Sequence, residues 1–138
     1  YLNFYVFCSL NGFFGSSNFF KKQHEEERNH MMKIFDFLLD EGIEVELPNI
    51  SIKKKEITSL KEIFEKSFEF EKKVSDHINE IYGLCLEEKD FKVLNFINWF
   101  VEEQREEEKV FKKILDILKV LSDDKISLFL VDKEISKI

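Results

Sequence analysis

Apolar residues recur at helical spacing along most of the chain, and polar or turn-forming residues interrupt the pattern at intervals. Stripes of this kind are typical of helices that bury one face in a core. The pattern predicts four helices and a short tail helix, at about residues 1–10, 16–40, 59–85, 91–121 and 125–136.

Local signals suggest where these helices begin and end. Ser16 is a plausible N-cap for the second helix, and Gly42 is a natural left-handed stop after it. Ser59 and Glu62 have the spacing of a capping box at the start of the third helix. A turn over 87–90 leads into the fourth helix, and Ser-Asp-Asp at 122–124 breaks that helix and caps the tail.

The connection from Gly42 to Thr58 loses the helical period, and its apolar residues alternate as in an extended segment. A connection this long lets the second and third helices lie parallel, as in bundles with a long crossover. We therefore predict an all-α fold: a four-helix bundle with a long crossover between helices two and three and a short fifth C-terminal helix. Residues 1–138 are expected to form a single domain.

The composition limits the kinds of partner that the chain is expected to bind. The net charge is −7 and 36% of the residues are charged, which argues against nucleic acid because phosphate binding needs a basic surface. An acidic surface attracts cations instead. No apolar run approaches a membrane span and no signal peptide is visible, so we expect a cytoplasmic protein. Cys8 and Cys85 stand in apolar contexts and are expected to be buried free thiols.

Charged and polar residues fall within the apolar stripes of three helices. Glu27 and His30 are three residues apart, so on a helix they share a face and can grip one cation. Glu71 interrupts the stripe of the third helix, and Gln104 and Glu107 interrupt that of the fourth. Any one of these could be ordinary solvated surface. Together they indicate a cation, because an unpaired buried carboxylate costs several kcal/mol, and helix bundles use such residues to hold two metal ions.

The chain resembles the bacterial non-haem ferritins. Residues 19–42 contain Glu-Glu-x-x-His-Met-x-x-Ile-Phe-Asp-Phe-Leu and look like the second bundle helix of that family. Residues 95–109 carry its Glu-Gln-x-Glu-Glu-Glu run, and residues 127–135 resemble its short fifth helix. The resemblance implies iron storage inside a cage of twenty-four identical subunits, with ferroxidase activity that oxidises Fe(II) by oxygen or peroxide at a diiron centre.

Roles follow for the candidate ligands. Glu27 should bridge two iron ions and face the bundle centre, and His30 should complete the first ion, iron A. Glu71 and Glu107 should hold the second ion, iron B, while Gln104 orients a bound water or oxygen species. Carboxylate-rich ligation suits iron and lets Fe(III) leave. The resemblance also assigns Glu26, Glu103 and Glu106 to a third iron site, although without it they would be a solvated acidic patch.

Three other residues carry weaker signals. Tyr1 matches the family's tyrosine beside the diiron centre, a possible electron donor, but it could equally be a packing residue at a chain end. His24 and His77 lack the glutamate three residues earlier that His30 has in Glu27, and they are expected to be surface or interface histidines.

The chain departs from the family at its start. In ferritins a glutamate seven residues before the position of Tyr1 ligates iron A, and these 138 residues do not include it. We therefore expect a fragment, or a first helix truncated at its N-terminal side. The alternative function is a subunit with an impaired ferroxidase centre that contributes only shell and mineral nucleation. A diiron peroxidase of the rubrerythrin type is disfavoured, because Gln104 and Glu107 stand where a second Glu-x-x-His would be required.

Overall fold

The computed structural model describes residues 1–47, 49, 57–120 and 124–138. Across these ranges the regular elements are five helices: α1 Leu2–Leu10, α2 Phe14–Asp40, α3 Leu60–Glu88, α4 Phe91–Val120 and α5 Lys125–Ile135. They fall into two compact units, the first of Tyr1–Thr58 with Asp132–Ile138 and the second of Ser59–Val131. None of the helices described here is long and apolar enough to cross a membrane.

Several predicted boundaries are confirmed. Gly42 follows α2 with a φ of +71°, the left-handed conformation expected of a helix stop. The Ser59 hydroxyl accepts a hydrogen bond from the Glu62 amide at 3.1 Å and so caps α3. Asp124 caps α5 by accepting bonds from the amides of Ile126 and Ser127.

Between α2 and α3, residues 43–47, 49 and 57–59 adopt neither helix nor strand. This agrees with the loss of helical period in the sequence. The other residues of that connection, and Ser122 and Asp123 of the predicted tail cap, lie outside the described residues.

The prediction that Ser16 caps α2 is wrong. The helix begins at Phe14, with Phe13 as its N-cap residue, and Ser16 lies within the first turn. The Ser16 hydroxyl instead donates to the carboxylate of Asp132 at 2.7 Å. A residue 116 positions away has therefore taken over the capping function that local sequence had suggested for Ser16.

The end of α3 also differs from the prediction. The helix continues to Glu88 rather than stopping near Cys85, and Lys89 closes it in the left-handed conformation with φ +58°. Two residues then suffice as a connection, because the Asp90 side chain accepts a bond from the Val93 amide at 3.1 Å and caps α4. The observed connection is thus half the length of the four-residue turn predicted over 87–90.

In the first unit, α1 and α2 form a helical hairpin joined at Gly12, whose φ is +79°. Aromatic rings fill the space between the two helices, with the Phe4 and Phe20 ring centroids 5.3 Å apart. Cys8 lies within this core and has no exposed surface. Burial, and next the negative charge of Asp132, raise the pKa of the Cys8 thiol to about 12. Cys8 and Cys85 are both buried free thiols, as predicted.

The same unit holds the last turn of α5 against the N-terminus of α2. The Asp132 carboxylate accepts hydrogen bonds from the amides of Gly15 at 2.8 Å and Ser16 at 2.7 Å. Both amides are among those that a helix leaves without an internal partner, and the positive end of the helix dipole favours the carboxylate. Gly15 permits this approach, because a Cβ there would lie 2.0 Å from the Asp132 carbonyl oxygen.

In the second unit, α3 and α4 pack together over most of their length. Ile78, Ile97 and Phe100 form a buried cluster that Tyr82, Phe96 and Val101 extend. Nearer the start of α3, Phe64 packs against Phe111 with ring centroids 6.4 Å apart. The apolar stripes thus bury the faces that the periodicity indicated. They also carry Glu71 and Gln104 into the buried part of the unit.

Candidate metal centre

Glu27 and His30 lie on one face of α2, as their spacing predicted. His30 Nδ1 is 3.6 Å from Glu27 Oε2. Two donors that share one metal ion, each about 2.1 Å from it, stand roughly 3–4 Å apart. The pair therefore has the spacing of two ligands to one cation. The exposed side-chain fractions differ from the expectation of an inward pair, because His30 is 17% exposed while Glu27 is 47% exposed.

Glu71 is the most deeply buried carboxylate of the predicted set. The residue is 2% exposed, and its Oε2 accepts a hydrogen bond of 2.6 Å from the amide nitrogen of Gln104. The same nitrogen donates to the Glu71 backbone carbonyl at 3.1 Å. The two residues are thus brought together across the α3–α4 contact, and Gln104 directs its amide at Glu71.

The electrostatics of Glu71 follow from this burial. Loss of solvent raises the pKa of the Glu71 carboxyl, the hydrogen bond from Gln104 offsets part of that rise, and the nearby charge of Glu108 adds to it. A carboxyl of this kind holds its proton more tightly than a surface glutamate does. A cation bound beside it would reverse that tendency, because a positive charge favours the ionised form.

Glu108 follows the predicted ligand Glu107 and accepts a hydrogen bond from the Ser75 hydroxyl. A small cavity of about 240 Å³ lies between α3 and α4, and its wall combines polar side chains, among them Ser75, Gln104 and Glu108, with the apolar Ile78 and Val101. Glu107 itself is partly buried on α4. Glu108 therefore connects α4 to α3 beside Gln104 through the Ser75 hydroxyl.

The three residues assigned to a third iron site have different surroundings. Glu26 is exposed and accepts a hydrogen bond of 2.6 Å from the side-chain amide of Gln23. Glu106 is exposed and pairs with Lys109 at 3.0 Å, a bond that lowers the pKa of Glu106. Glu103 is partly buried. A cation at Glu106 would compete with the lysine.

Tyr1 packs within the aromatic core of the first unit. Its ring centroid is 5.8 Å from that of Phe20 and 6.4 Å from that of Phe4. These contacts account for Tyr1 as a packing residue, and its role as an electron donor remains a prediction.

Within the described ranges, no group of three or more His, Cys, Asp and Glu side chains has the mutual geometry of a metal site. The structure instead shows two pairs, Glu27 with His30 and Glu71 with Gln104. The grouping of these pairs into one diiron centre remains a prediction.

The sequence analysis missed Gln23. This residue is 6% exposed and continues the buried stripe of Phe19 and Phe20 by one turn. A glutamine that continues an apolar stripe is visible in the sequence, and it indicates a nearby hydrogen-bond partner because buried polar side chains need one. Its partner lies one turn further along α2, at Glu26.

The ferritin-like domain profile matches residues 1–121. The chain belongs to the ferritin family. A probable bacterial non-heme ferritin-like protein of Haemophilus influenzae is 41% identical over all of this chain and 84% of its own length. The bacterial non-heme ferritin of Escherichia coli is 34% identical over 95% of this chain and 79% of its own length.

Solved structures of ferritins are also similar to this chain. A humanized archaeal ferritin is 36% identical, with a TM-score of 0.92 over 98% of this chain and 83% of its own. An open pore ferritin from the hyperthermophilic archaeon Archaeoglobus fulgidus is also 36% identical, with a TM-score of 0.90 over 96% of this chain and 82% of its own. These similarities confirm the resemblance stated from the sequence and the predicted fold class, a ferritin-like bundle with a short C-terminal helix.

Proposed function

We propose that this chain is an iron-storage subunit that oxidises Fe(II) at a diiron carboxylate centre and retains the Fe(III) product as mineral. Membership of the ferritin family supports iron as the cargo. The observation that carries the oxidation step is the buried Glu71 carboxylate, held by Gln104 in the contact between α3 and α4. Such a carboxylate is costly without a counter-charge, and Fe(II) would supply one.

In this proposal Glu27 is shared by the two iron ions and His30 completes iron A. Glu71 and Glu107 bind iron B. Each Fe(II) gives up one electron, and an oxygen molecule that takes both electrons with two protons leaves as hydrogen peroxide. The carboxylates stabilise the Fe(III) that forms, since hard oxygen ligands suit the higher charge.

The structure suggests a positioning role for Gln104 that differs from orienting an oxygen species. Because its amide nitrogen donates to both the side chain and the backbone of Glu71, it holds the Glu71 carboxylate in place. A ligand held in this way does not have to be ordered when the metal arrives.

Assembly and location form part of the same proposal. We propose that the subunits form a closed homo-oligomer, a cage of twenty-four copies, in the cytoplasm. A mineral needs an enclosed space, and the exposed apolar residues of α5, including Ile126 at 73% and Phe129 at 67%, give each subunit a surface suited to contacts with other copies.

The decisive experiment is anaerobic Fe(II) titration followed by stopped-flow absorbance after mixing with oxygen. The Glu71→Gln variant keeps the shape of the side chain and the hydrogen bond from Gln104 but removes the charge. We expect it to lose iron B and to slow the formation of Fe(III) by about a hundredfold or more, because paired oxidation needs both ions.

Glu69→Gln is the matched control, since Glu69 lies on the same helix and is exposed. It should bind and oxidise iron like the wild type. Equal oxidation rates in the Glu71 and Glu69 variants would refute the proposed centre. Slow oxidation in the wild type, with intact iron loading, would instead favour the alternative of an impaired subunit.

A further inference from the structure

Gln23 and Gln104 share one arrangement. Each is a buried glutamine, 6% and 7% exposed. Each directs its side-chain amide at a glutamate of the predicted iron sites at 2.6 Å, Gln104 at Glu71 and Gln23 at Glu26. Gln104 was predicted from its place in the ferritin motif, whereas Gln23 was assigned no function.

The surroundings of Gln23 make its side chain a rigid donor. It lies in α2 one turn after Phe19 and Phe20, and those rings are 6% and 0% exposed. A side chain packed against such neighbours has few rotamers left. Residues three apart on a helix share a face, so the fixed amide of Gln23 reaches the carboxylate of Glu26 directly.

Glu26 gains from this contact what an exposed glutamate lacks. A free glutamate side chain samples many rotamers, and ordering it to bind a cation costs conformational entropy. The hydrogen bond from Gln23 to Oε2 holds one carboxylate oxygen in place. The other oxygen is then presented to solvent in a limited set of orientations, as a ligand prepared for a cation should be.

We propose that Gln23 is a positioning residue that holds Glu26 ready to bind Fe(II) at the third iron site. The inference rests on the proposed function, because the family resemblance assigns Glu26 to that site. It adds that the site has a dedicated outer partner on α2, as Glu71 has in Gln104 on α4. Partners of this kind typically change metal affinity by about 10–100-fold when removed.

The test is isothermal titration of the assembled, full-length protein with Fe(II) in the absence of oxygen, which measures binding without turnover. The wild type should show two tighter sites per chain and a weaker third. Gln23→Leu removes the donor and should weaken the third site about tenfold or more while the first two keep their affinities. Gln23→Met, which keeps the length of the side chain but has no hydrogen-bond donor, should have the same effect.

Two comparisons separate positioning from a general structural effect. In a Glu26→Gln background, Gln23→Leu should produce no further loss at the third site, since the residue it acts through has been removed. Gln104→Leu, the matched buried change on α4, should weaken the site of Glu71 rather than the third site. The Gln23→Met variant covers the case in which Gln23→Leu folds poorly.

Unchanged third-site affinity in both Gln23 variants, or an equal loss in the Glu26→Gln background, would overturn the inference. A wild type with only two iron sites would also overturn it but would leave the proposed function standing. A wild type that binds no Fe(II) would overturn both the inference and the proposed function.

Discussion

At the scale of single residues, burial links the protonation of Glu71 to folding. Its pKa is raised in the folded chain, chiefly by loss of solvent. The folded state therefore keeps the Glu71 proton over a range of pH in which the unfolded chain has released it. As the pH rises from the ordinary pKa of glutamate, about 4.3, through the raised value, the metal-free protein loses stability.

We predict that Glu71→Gln stabilises the metal-free protein at pH 7.5 relative to the wild type, and that this advantage shrinks as the pH falls towards 4.5. The amide cannot ionise, so the variant avoids the cost of a buried charge. Urea unfolding at several pH values measures the difference. A constant difference between the two proteins across this range would show that Glu71 does not titrate as its burial implies.

The pair on α2 gives a second prediction at this scale. Glu27→Ala should lower the anaerobic Fe(II) stoichiometry more than His30→Ala does, because Glu27 is proposed to serve both ions and His30 only iron A. We expect His30→Ala to weaken the binding of one iron ion by about tenfold or more. Glu25→Ala and His24→Ala, on the same helix, are the matched controls. If Glu27→Ala binds as much iron as wild type, Glu27 is not a ligand.

At the scale of helices, the junction between α2 and the last turn of α5 depends on a glycine. A methyl group at Gly15 would meet the Asp132 carbonyl oxygen at 2.0 Å, so the two backbones would have to separate. The carboxylate of Asp132 would then lose its bonds to the amides of Gly15 and Ser16.

We predict that Gly15→Ala destabilises the fold by about 3 kcal/mol, the upper part of the usual range for overpacking. Gly83→Ala is the control, because nothing lies within 4 Å of a Cβ at that position in α3. It should be neutral or stabilise by up to about 1 kcal/mol, since alanine favours a helix over glycine. Thermal unfolding of both variants gives the comparison, and similar melting temperatures would contradict the steric argument.

At the scale of the whole molecule, α5 presents Ile126, Phe129 and Leu130 with exposed fractions of 73%, 67% and 46%. Residues three and four apart form one stripe on a helix. An apolar stripe this exposed is unusual for a subunit that acts alone. In the proposed cage the stripe would contact neighbouring copies.

We predict that Phe129→Lys shifts the assembled protein to smaller species at micromolar concentration, measured by size-exclusion chromatography with light scattering. Phe129→Leu keeps an apolar side chain at the same position and should remain assembled. A wild type that is a stable monomer under these conditions would refute the cage, while identical assembly in both variants would show that Phe129 lies outside the contact.

The sequence by itself determined most of the helical architecture, because the signals for helices are local. The apolar period located the helices, the Ser59 and Gly42 boundaries followed from residues within one turn, and the Glu27–His30 spacing placed two donors on one face. The fold class followed from the ferritin motifs, because whole runs of residues in this chain match them. None of these inferences required knowing which distant residues meet.

Tertiary structure decided the partners of polar side chains. Asp132, rather than Ser16, caps α2 from more than a hundred residues away, and Gln104 turns to Glu71 across two helices. The helix α3 continues past its predicted end to Glu88, and Lys89 and Asp90 form a two-residue connection to α4. Such outcomes depend on which groups lose water together, and that is settled only when the helices pack, because a buried polar group takes whichever partner the packed structure brings within reach.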